Sequence, residues 1–128
     1  MGIPDIGLAE MANLWAEDSG QAAMTHIAVG TGDTAFAAAD TTLGTEVTTS
    51  GLARVAATVT RATTSTTNDT VQLVTTFTVT GTVTIKEVGI LNAASTGALG
   101  GRTVLTTPKD VVNGSSYTVT YKTIFARE

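Results

Sequence analysis

The sequence contains no cysteine, only two prolines and few charged residues. The absence of cysteine excludes a disulfide framework, a thiolate nucleophile and a cysteine-ligated zinc site. Charged side chains make up 14% of the 128 residues, where about 25% is usual in soluble domains. The formal net charge is −4. This argues against binding to nucleic acid or to an anionic membrane, because both attract an excess of Lys and Arg.

Long apolar runs and targeting signals are missing as well. No stretch reaches the roughly 18 apolar residues that a transmembrane helix needs. The first residues carry neither the basic region nor the apolar region of a secretory signal. We therefore expect a protein that is made in a cytoplasm, with no membrane and no nucleic acid among its partners.

Threonine is frequent in this sequence, where charged residues are few, and accounts for 28 of the 128 residues. Because threonine is β-branched, it favours extended backbone and suits the wet face of a strand. The length fits one domain that can bury a core without disulfides or a structural metal. Composition and length together predict a single all-β domain over residues 1–128.

One segment, residues 5–17, has the pattern of a helix. Its apolar side chains recur at helical spacing and form one stripe, at Leu8, Met11, Ala12 and Trp15. The carboxylate of Asp5 is placed to cap the first turn. A helix of about three turns is marginal in water by itself. We therefore expect the stripe to pack on the sheet or on a neighbouring subunit.

Apolar and polar residues alternate in most of the remaining sequence, and turn residues separate about six or seven such segments. The clearest are 25–29, 52–61, 71–80, 83–90, 102–105 and 117–125. The alternation slips by one residue at Lys86–Glu87, which predicts a β-bulge. Asn68–Asp69 and Asn113–Gly114 predict turns, and residues 108–110 are interpreted as a connection. The simplest architecture is an antiparallel β-sandwich with one N-terminal helix, and the alternative is a closed barrel.

A long loop over residues 33–51 interrupts this pattern with small and polar residues. Structureless loops of more than about 12–15 residues are usually functional or mobile. Phe36 is the one aromatic residue in this loop. Such a residue is often an anchor that docks into a neighbouring subunit, and packing on its own domain is the equal alternative.

Candidate catalytic and ligand-binding groups are few. Gly30–Gly32 lacks the third glycine and the following helix of a dinucleotide-binding loop, and a tight turn with positive φ explains these glycines better. Asp33, Asp40 and Glu46 offer oxygen ligands of the kind that Ca²⁺ takes, but their spacing matches no calcium-binding loop. His26, the only histidine, has no nucleophile or acid placed to work with it. It is better interpreted as a half-buried strand residue.

Three aromatic residues, Tyr117, Tyr121 and Phe125, share one face of the last predicted strand. A stacking platform for carbohydrate or bases is conceivable there, but filling the core of a sandwich is the ordinary role of such a row. A hydrolase would need a partner for His26 or a pair of carboxylates in a cleft. We therefore expect no catalytic residue, no cofactor, no metal and no enzymatic activity.

Three stretches carry further information: IAVGTGDTAF over 27–36, DTTLGTE over 40–46 and VTIKEVGILNAASTGAL over 83–99. Together with Arg102 and the closing strand 119–125, they resemble a family of small tailed-bacteriophage virion structural proteins. The similarity covers residues 8–125. The loop reads Ala35–Ala37 around its phenylalanine, where the family pattern has a proline nearby.

The resemblance implies a non-enzymatic protein of the virion. The leading expectation is a capsid decoration (cement) protein on the capsid surface, bound to the major capsid protein and to copies of itself as a homotrimer. Subunit contacts are predicted at Leu8, Met11, Trp15 and Phe36. The alternative is a tail, collar or head-fibre module that binds another virion protein or a host surface glycan. Small size and the lack of shaft repeats favour the first of these.

Overall fold

The computed structural model describes residues 2–17, 20 and 22–127. In this part of the chain one helix, α1 (Asp5–Trp15), precedes seven strands. The strands are β1 (His26–Gly30), β2 (Val55–Ala56), β3 (Thr58–Ala62), β4 (Thr70–Thr78), β5 (Val83–Leu91), β6 (Leu99–Val111) and β7 (Ser116–Ile124). No helix among these residues has the length and hydrophobicity needed to cross a membrane.

The strands form two antiparallel sheets. Sheet A has four strands in the order β2-β1-β5-β6, and sheet B has three in the order β3-β4-β7. The two sheets share an apolar core, so the predicted antiparallel sandwich with an N-terminal helix is confirmed. The alternative of a closed barrel is wrong, because the strands separate into two sheets.

Side chains from the facing sides of both sheets fill this core. They come from alternate positions along the strands, because successive side chains point to opposite faces. The buried members include Ile27, Val29, Leu73, Phe77, Ile85, Ile90, Val119 and Tyr121. Tyr117 is half-buried against the same cluster, whereas Phe125 lies beyond the end of β7 and is 55% exposed. The predicted aromatic row therefore supplies core volume through its two tyrosines.

The outer face of sheet A is covered as well. A second buried cluster, made of Ala28, Leu43, Leu91 and Leu99, lies there, and Ile6 of α1 packs against it. The cover consists of residues 2–15 and of residues 31–46, which follow β1. We call these two segments the covering layer. Sheet A is thus enclosed between sheet B on one side and the covering layer on the other.

The predicted strand 52–61 is wrong as a single element. The structure divides it into β2 in sheet A and β3 in sheet B, with Ala57 between them. The N–H of Ala57 donates to the carbonyl of Thr25 at 2.8 Å, while Thr58 already pairs with Val74 of β4. The chain crosses from one sheet to the other within one residue. Alternation in sequence does not reveal this crossing, because both halves keep the period of two.

β6 is longer than the sequence indicates. The predicted strand 102–105 and the predicted connection 108–110 both lie inside it. Pro108 is tolerated because β6 is an edge strand of sheet A, where the missing N–H can face away from the ladder. The interpretation of residues 108–110 as a connection is therefore wrong.

The predicted bulge and turns are confirmed. The register of β5 against β6 shifts between Ile85 and Glu87. As a result Ile85 and Val88 both belong to the core, while Glu87 points to the outer face of sheet A. Asn68 has a φ of 60° and Gly114 a φ of 87°, the left-handed conformation that these residue types tolerate.

α1 packs on sheet A through a small residue and not through its predicted apolar stripe. Gly7 is the buried residue of the helix. A Cβ at this position would lie 2.9 Å from the carbonyl oxygen of Leu99, so the absence of a side chain allows the close approach. The stripe points elsewhere as a consequence: Leu8 is 54% exposed and Trp15 is 93% exposed.

The predicted capping of this helix by Asp5 is wrong. Pro4 occupies the N-cap position with extended backbone, and no side chain caps the first turn. Asp5 already lies inside the helix, where its N–H donates to the carbonyl of Ala38 at 2.8 Å. The helix ends at Trp15, two residues before the predicted end, and the following Glu17 has a φ of 53°, which is incompatible with helical continuation.

The turn between β3 and β4 is organised by one carboxylate. Asp69 accepts hydrogen bonds from the N–H groups of Thr64, Ser65 and Thr66 at 2.9, 2.9 and 2.8 Å. These three donors favour the charged form and hold the pKa of Asp69 well below its ordinary value. The backbone donors of the turn are thereby satisfied without a second strand.

We predict that Asp69→Asn removes a pH dependence of stability. Because the folded-state pKa is depressed, the stabilisation is fully present above the unfolded value of about 4 and is lost as the pH falls below it. The melting temperature of the wild type should therefore fall more steeply than that of the variant between about pH 4 and pH 2. Asp5→Asn is the matched control, because Asp5 makes no capping bond. Parallel pH profiles for Asp69→Asn and the wild type would contradict this assignment.

Candidate functional site

A buried ion pair lies on the outer face of sheet A. Glu87 of β5 and Arg102 of β6 meet there with Oε2 and Nε 2.8 Å apart, and their side chains are 0% and 2% exposed. The bulge in β5 turns Glu87 to this face, and Arg102 pairs with Gly89, two residues further along β5. The two charged side chains are therefore neighbours across the ladder, under the covering layer.

The carboxylate of Glu87 binds the backbone of the covering layer. It accepts hydrogen bonds from the N–H groups of Thr45 at 2.7 Å, Gly44 at 2.9 Å and Gly32 at 3.3 Å. A charged acceptor makes stronger hydrogen bonds than a neutral one. One buried side chain thus fixes both ends of the loop that follows β1.

The guanidinium of Arg102 binds the middle of the same loop. It donates to Oδ2 of Asp40 at 3.1 Å and to the carbonyl of Thr34 at 2.9 Å. Its backbone also pairs with Gly2, through two hydrogen bonds of 2.9 Å each. Arg102 therefore joins the N-terminal segment, the loop and sheet A at one point. Within the described residues, every buried side-chain polar atom has a hydrogen-bond partner.

The glycines of the 30–32 motif make room for this carboxylate. A Cβ on Gly32 would lie 2.8 Å from Oε1 of Glu87, and one on Gly30 would overlap the same side chain. Neither glycine has a positive φ. The prediction that they serve a tight turn with positive φ is therefore wrong. These positions lack a side chain because the loop backbone lies directly against Glu87.

The three loop carboxylates that were considered as calcium ligands have separate basic partners. Asp33 lies 3.1 Å from Nζ of Lys86, and this bond lowers the pKa of Asp33. Asp40 contacts Arg102, and Glu46 lies 2.7 Å from Arg54. Across the described residues, no three His, Cys, Asp or Glu side chains come together as a metal site would require.

His26 is half-buried at the start of β1, as a strand residue. Its Nδ1 lies 2.8 Å from the hydroxyl of Thr25. This is a local contact between chain neighbours.

Phe36 lies in the covering layer and is half-buried there. Its ring occupies the space beside Gly2, because a Cβ on Gly2 would overlap three of the ring carbons. Phe36 thus packs on its own chain through at least this contact. The remaining part of the ring is accessible from outside.

Two of the other predicted contact residues, Met11 and Trp15 but not Leu8, line a groove at one end of the sandwich. Met11 and Trp15 line it from the side of α1, and Phe125 lines it from beyond β7. Its volume is about 440 Å³, and its walls are almost entirely apolar; they also include Leu14, Met24, Val59, Val71 and Ile90. We call it the end groove. The structure gathers Met11 and Trp15 here and places Phe36 beside Gly2, on the covering layer.

Sequence reasoning missed the central role of Glu87 and Arg102. A signal was present: Glu87 sits at the slip in the apolar alternation and is followed only by apolar and small residues up to Leu91, and Arg102 stands between small and apolar residues. Charged residues are almost never fully buried unless they are paired. Two opposite charges in neighbouring buried strands were therefore candidates for one another.

The polar groups of this site are used to hold the loops of the chain itself, which is typical of a structural β-domain. The chain belongs to the family described as Gp80, podophage GP4 fiber I protein gp80, whose model matches residues 12–126. Neither the curated proteins nor the solved structures that were searched contain a match. The chain is therefore a bacteriophage virion structural protein, and the resemblance found in its sequence motifs is confirmed.

We predict that Glu87→Gln lowers the free energy of unfolding by about 3–5 kcal/mol, the usual loss when one partner of a buried ion pair is removed. Arg102 would lose its fully buried carboxylate partner at 2.8 Å and keep only the partly exposed Asp40 at 3.1 Å. Urea unfolding measures the loss. Lys86→Met is the control, because the neighbouring pair with Asp33 is largely exposed and contributes little. Equal losses for both variants would refute the central role of Glu87.

Proposed function

We propose that this protein is a fibre component of a podophage virion. The observation that carries the proposal is the family match over residues 12–126, whose description names a fibre protein. The fold is compatible with this role, because hydrogen bonds and ion pairs within the chain hold its loops on the sheet. These polar groups stabilise the fold itself. A fibre component works through stable contacts with the neighbouring proteins of the particle.

We further propose that the exposed side of α1 forms contacts between copies of this chain, in a homotrimer. Leu8 and Trp15 are exposed by 54% and 93%, and Met11 and Trp15 open into the end groove. Exposed apolar patches of this kind mark protein–protein contacts, and aromatic residues dominate the energy of such contacts. Phe36 is proposed as a further contact on the covering layer.

We expect Trp15→Ala to weaken self-association without changing the melting temperature of the subunit. The side chain is 93% exposed, so its removal costs the isolated fold almost nothing. Sedimentation velocity over a concentration series measures the association. Val112→Ala is the matched control, since Val112 is an exposed apolar residue outside the helix. An unchanged sedimentation profile for Trp15→Ala would overturn the proposed contact.

A second candidate is capsid decoration, in which the same domain lies on the head and binds the major capsid protein. The observation that favours it is the absence of any fixed-period repeat of the kind that builds a fibre shaft. A single small sandwich repeated over a symmetric shell attaches firmly through many weak contacts.

Copy number and position in the particle separate the two candidates. Quantitative gel densitometry against the major capsid protein and immunogold labelling of purified particles are the measurements. For a fibre component we expect fewer than about one copy per twenty capsid subunits, with label at the tail or its collar. A near-equimolar ratio with label over the head would overturn the fibre proposal in favour of decoration.

A further inference from the structure

The two sheets do not have the same number of strands. Sheet A has four and sheet B has three. β2 and β3 are separated by Ala57 alone, so they stack at the same flank of the sandwich. From there, β1 contacts β4 across the sandwich, and the next strands in order are β5 in sheet A and β7 in sheet B. By this count β6 is the unmatched fourth strand of sheet A, reached from sheet B by the hydroxyl of Tyr121 in β7, which lies 3.2 Å from that of Thr103, and sheet B has an unoccupied position beside β7.

The backbone of β7 presents unused hydrogen-bonding groups to this empty position. Two bonds at the ends of the β4–β7 ladder, from Val79 N–H to Ser115 and from Phe125 N–H to Asp69, involve odd-numbered residues of the β7 side. Bonding alternates along an antiparallel strand, so the odd-numbered residues of β7 face β4. The N–H and C=O groups of the even-numbered residues therefore point away from the sheet. Those residues are Ser116, Thr118, Thr120, Lys122 and Ile124.

A groove lies along this edge. It has a volume of about 330 Å³ and runs between β7 and the inner side of β6. The floor, on the core side, consists of Val88, Leu105, Val119 and the two tyrosines of β7 together with the polar Thr103, and the rim consists of Thr118, Thr120 and Lys122. A strand placed beside β7 would direct every second side chain onto the apolar floor. The groove thus has the polar edge and the apolar pocket that strand addition uses.

The other sheet edges are obstructed, and this one is not. Natural sandwiches protect their edges with short strands, proline, bulges or charges. β2 has two residues, β3 has five with Arg61 among them, and β6 carries Pro108 and two register shifts. β7 has nine residues with no proline, no glycine and no irregularity in its register. Lys122 is its one charged residue.

We propose that an extended segment of another virion protein adds as a strand beside β7 and completes sheet B. The segment is expected to carry small β-branched residues at the positions that face the floor, and an acidic residue near Lys122. A whole second sandwich fits poorly, because its own second sheet would meet β6. The described ends of this chain are already held, since Gly2 pairs with Arg102 and Phe125 bonds to Asp69.

Only one part of this proposal rests on the proposed function: that the added segment comes from a neighbouring protein of the particle. Its partner is therefore a different chain and not a second copy of this one. The position of the protein in the particle, fibre or head, is measured independently by labelling. A failure of the fibre assignment and a failure of the strand addition are thus distinguishable.

Cross-linking in assembled particles tests the partner. Because the chain has no cysteine, Thr118→Cys provides a single thiol for a short photoactivatable cross-linker. Thr76→Cys is the matched control: the two threonines pair across β4 and β7 with hydroxyl oxygens 2.9 Å apart, but Thr76 lies one strand inside the sheet. We expect a cross-linked product with another virion protein from position 118 that is at least about tenfold stronger than from position 76. A product made of two copies of this chain, or equal products from both positions, would overturn the proposal.

Edge blocking and amide exchange test the geometry. Thr120→Pro removes one outward N–H of β7, whereas Thr120→Val keeps the backbone donor and nearly the same shape. We expect the proline variant alone to lose incorporation into particles. If that variant also fails to fold, amide exchange of the wild type decides: the N–H groups of Thr118 and Thr120 should exchange fast in the free protein and slowly in the particle. Normal incorporation of a folded Thr120→Pro, or exchange that is equally fast in the particle, would overturn the proposal.

Discussion

The buried pair of Glu87 and Arg102 determines how the rest of this protein is arranged. Two charges taken out of water must satisfy their remaining hydrogen-bonding capacity within the protein. Here the partners are backbone groups of the segment that follows β1, together with Asp40. A loop of small polar residues, which has little apolar surface to bury, is fixed by these bonds. Sheet A consequently has two covered faces in a chain of 128 residues.

The strands that could be predicted from the sequence are those with regular surroundings. The alternation over 71–80 and 117–125 predicted β4 and β7 closely, because both lie in a plain antiparallel ladder with one face toward the core. The bulge at Lys86–Glu87 was visible for the same reason: a slip in alternation is a direct record of a slip in the pleat. In these places local pattern and tertiary environment agree.

Other features depend on contacts that no local pattern contains. The division of 52–61 into two strands depends on what each half pairs with, and the strand around Pro108 depends on its position at an edge. The apolar stripe of α1 was identified as a set of residues, but its orientation was decided by Gly7, whose lack of a side chain lets that face approach sheet A. The charged centre of the covering layer depends on the pairing of two residues that lie 15 positions apart on different strands, which no pattern within one strand contains.

The charge pair also affects how this chain folds. The loop groups that the side chains of Glu87 and Arg102 bind lie between 42 and 68 residues away in sequence, and closing such loops costs conformational entropy before any bond forms. β1, β5 and β6 must already be in register for the two side chains to stand side by side. We therefore expect the covering layer to close after these three strands have paired.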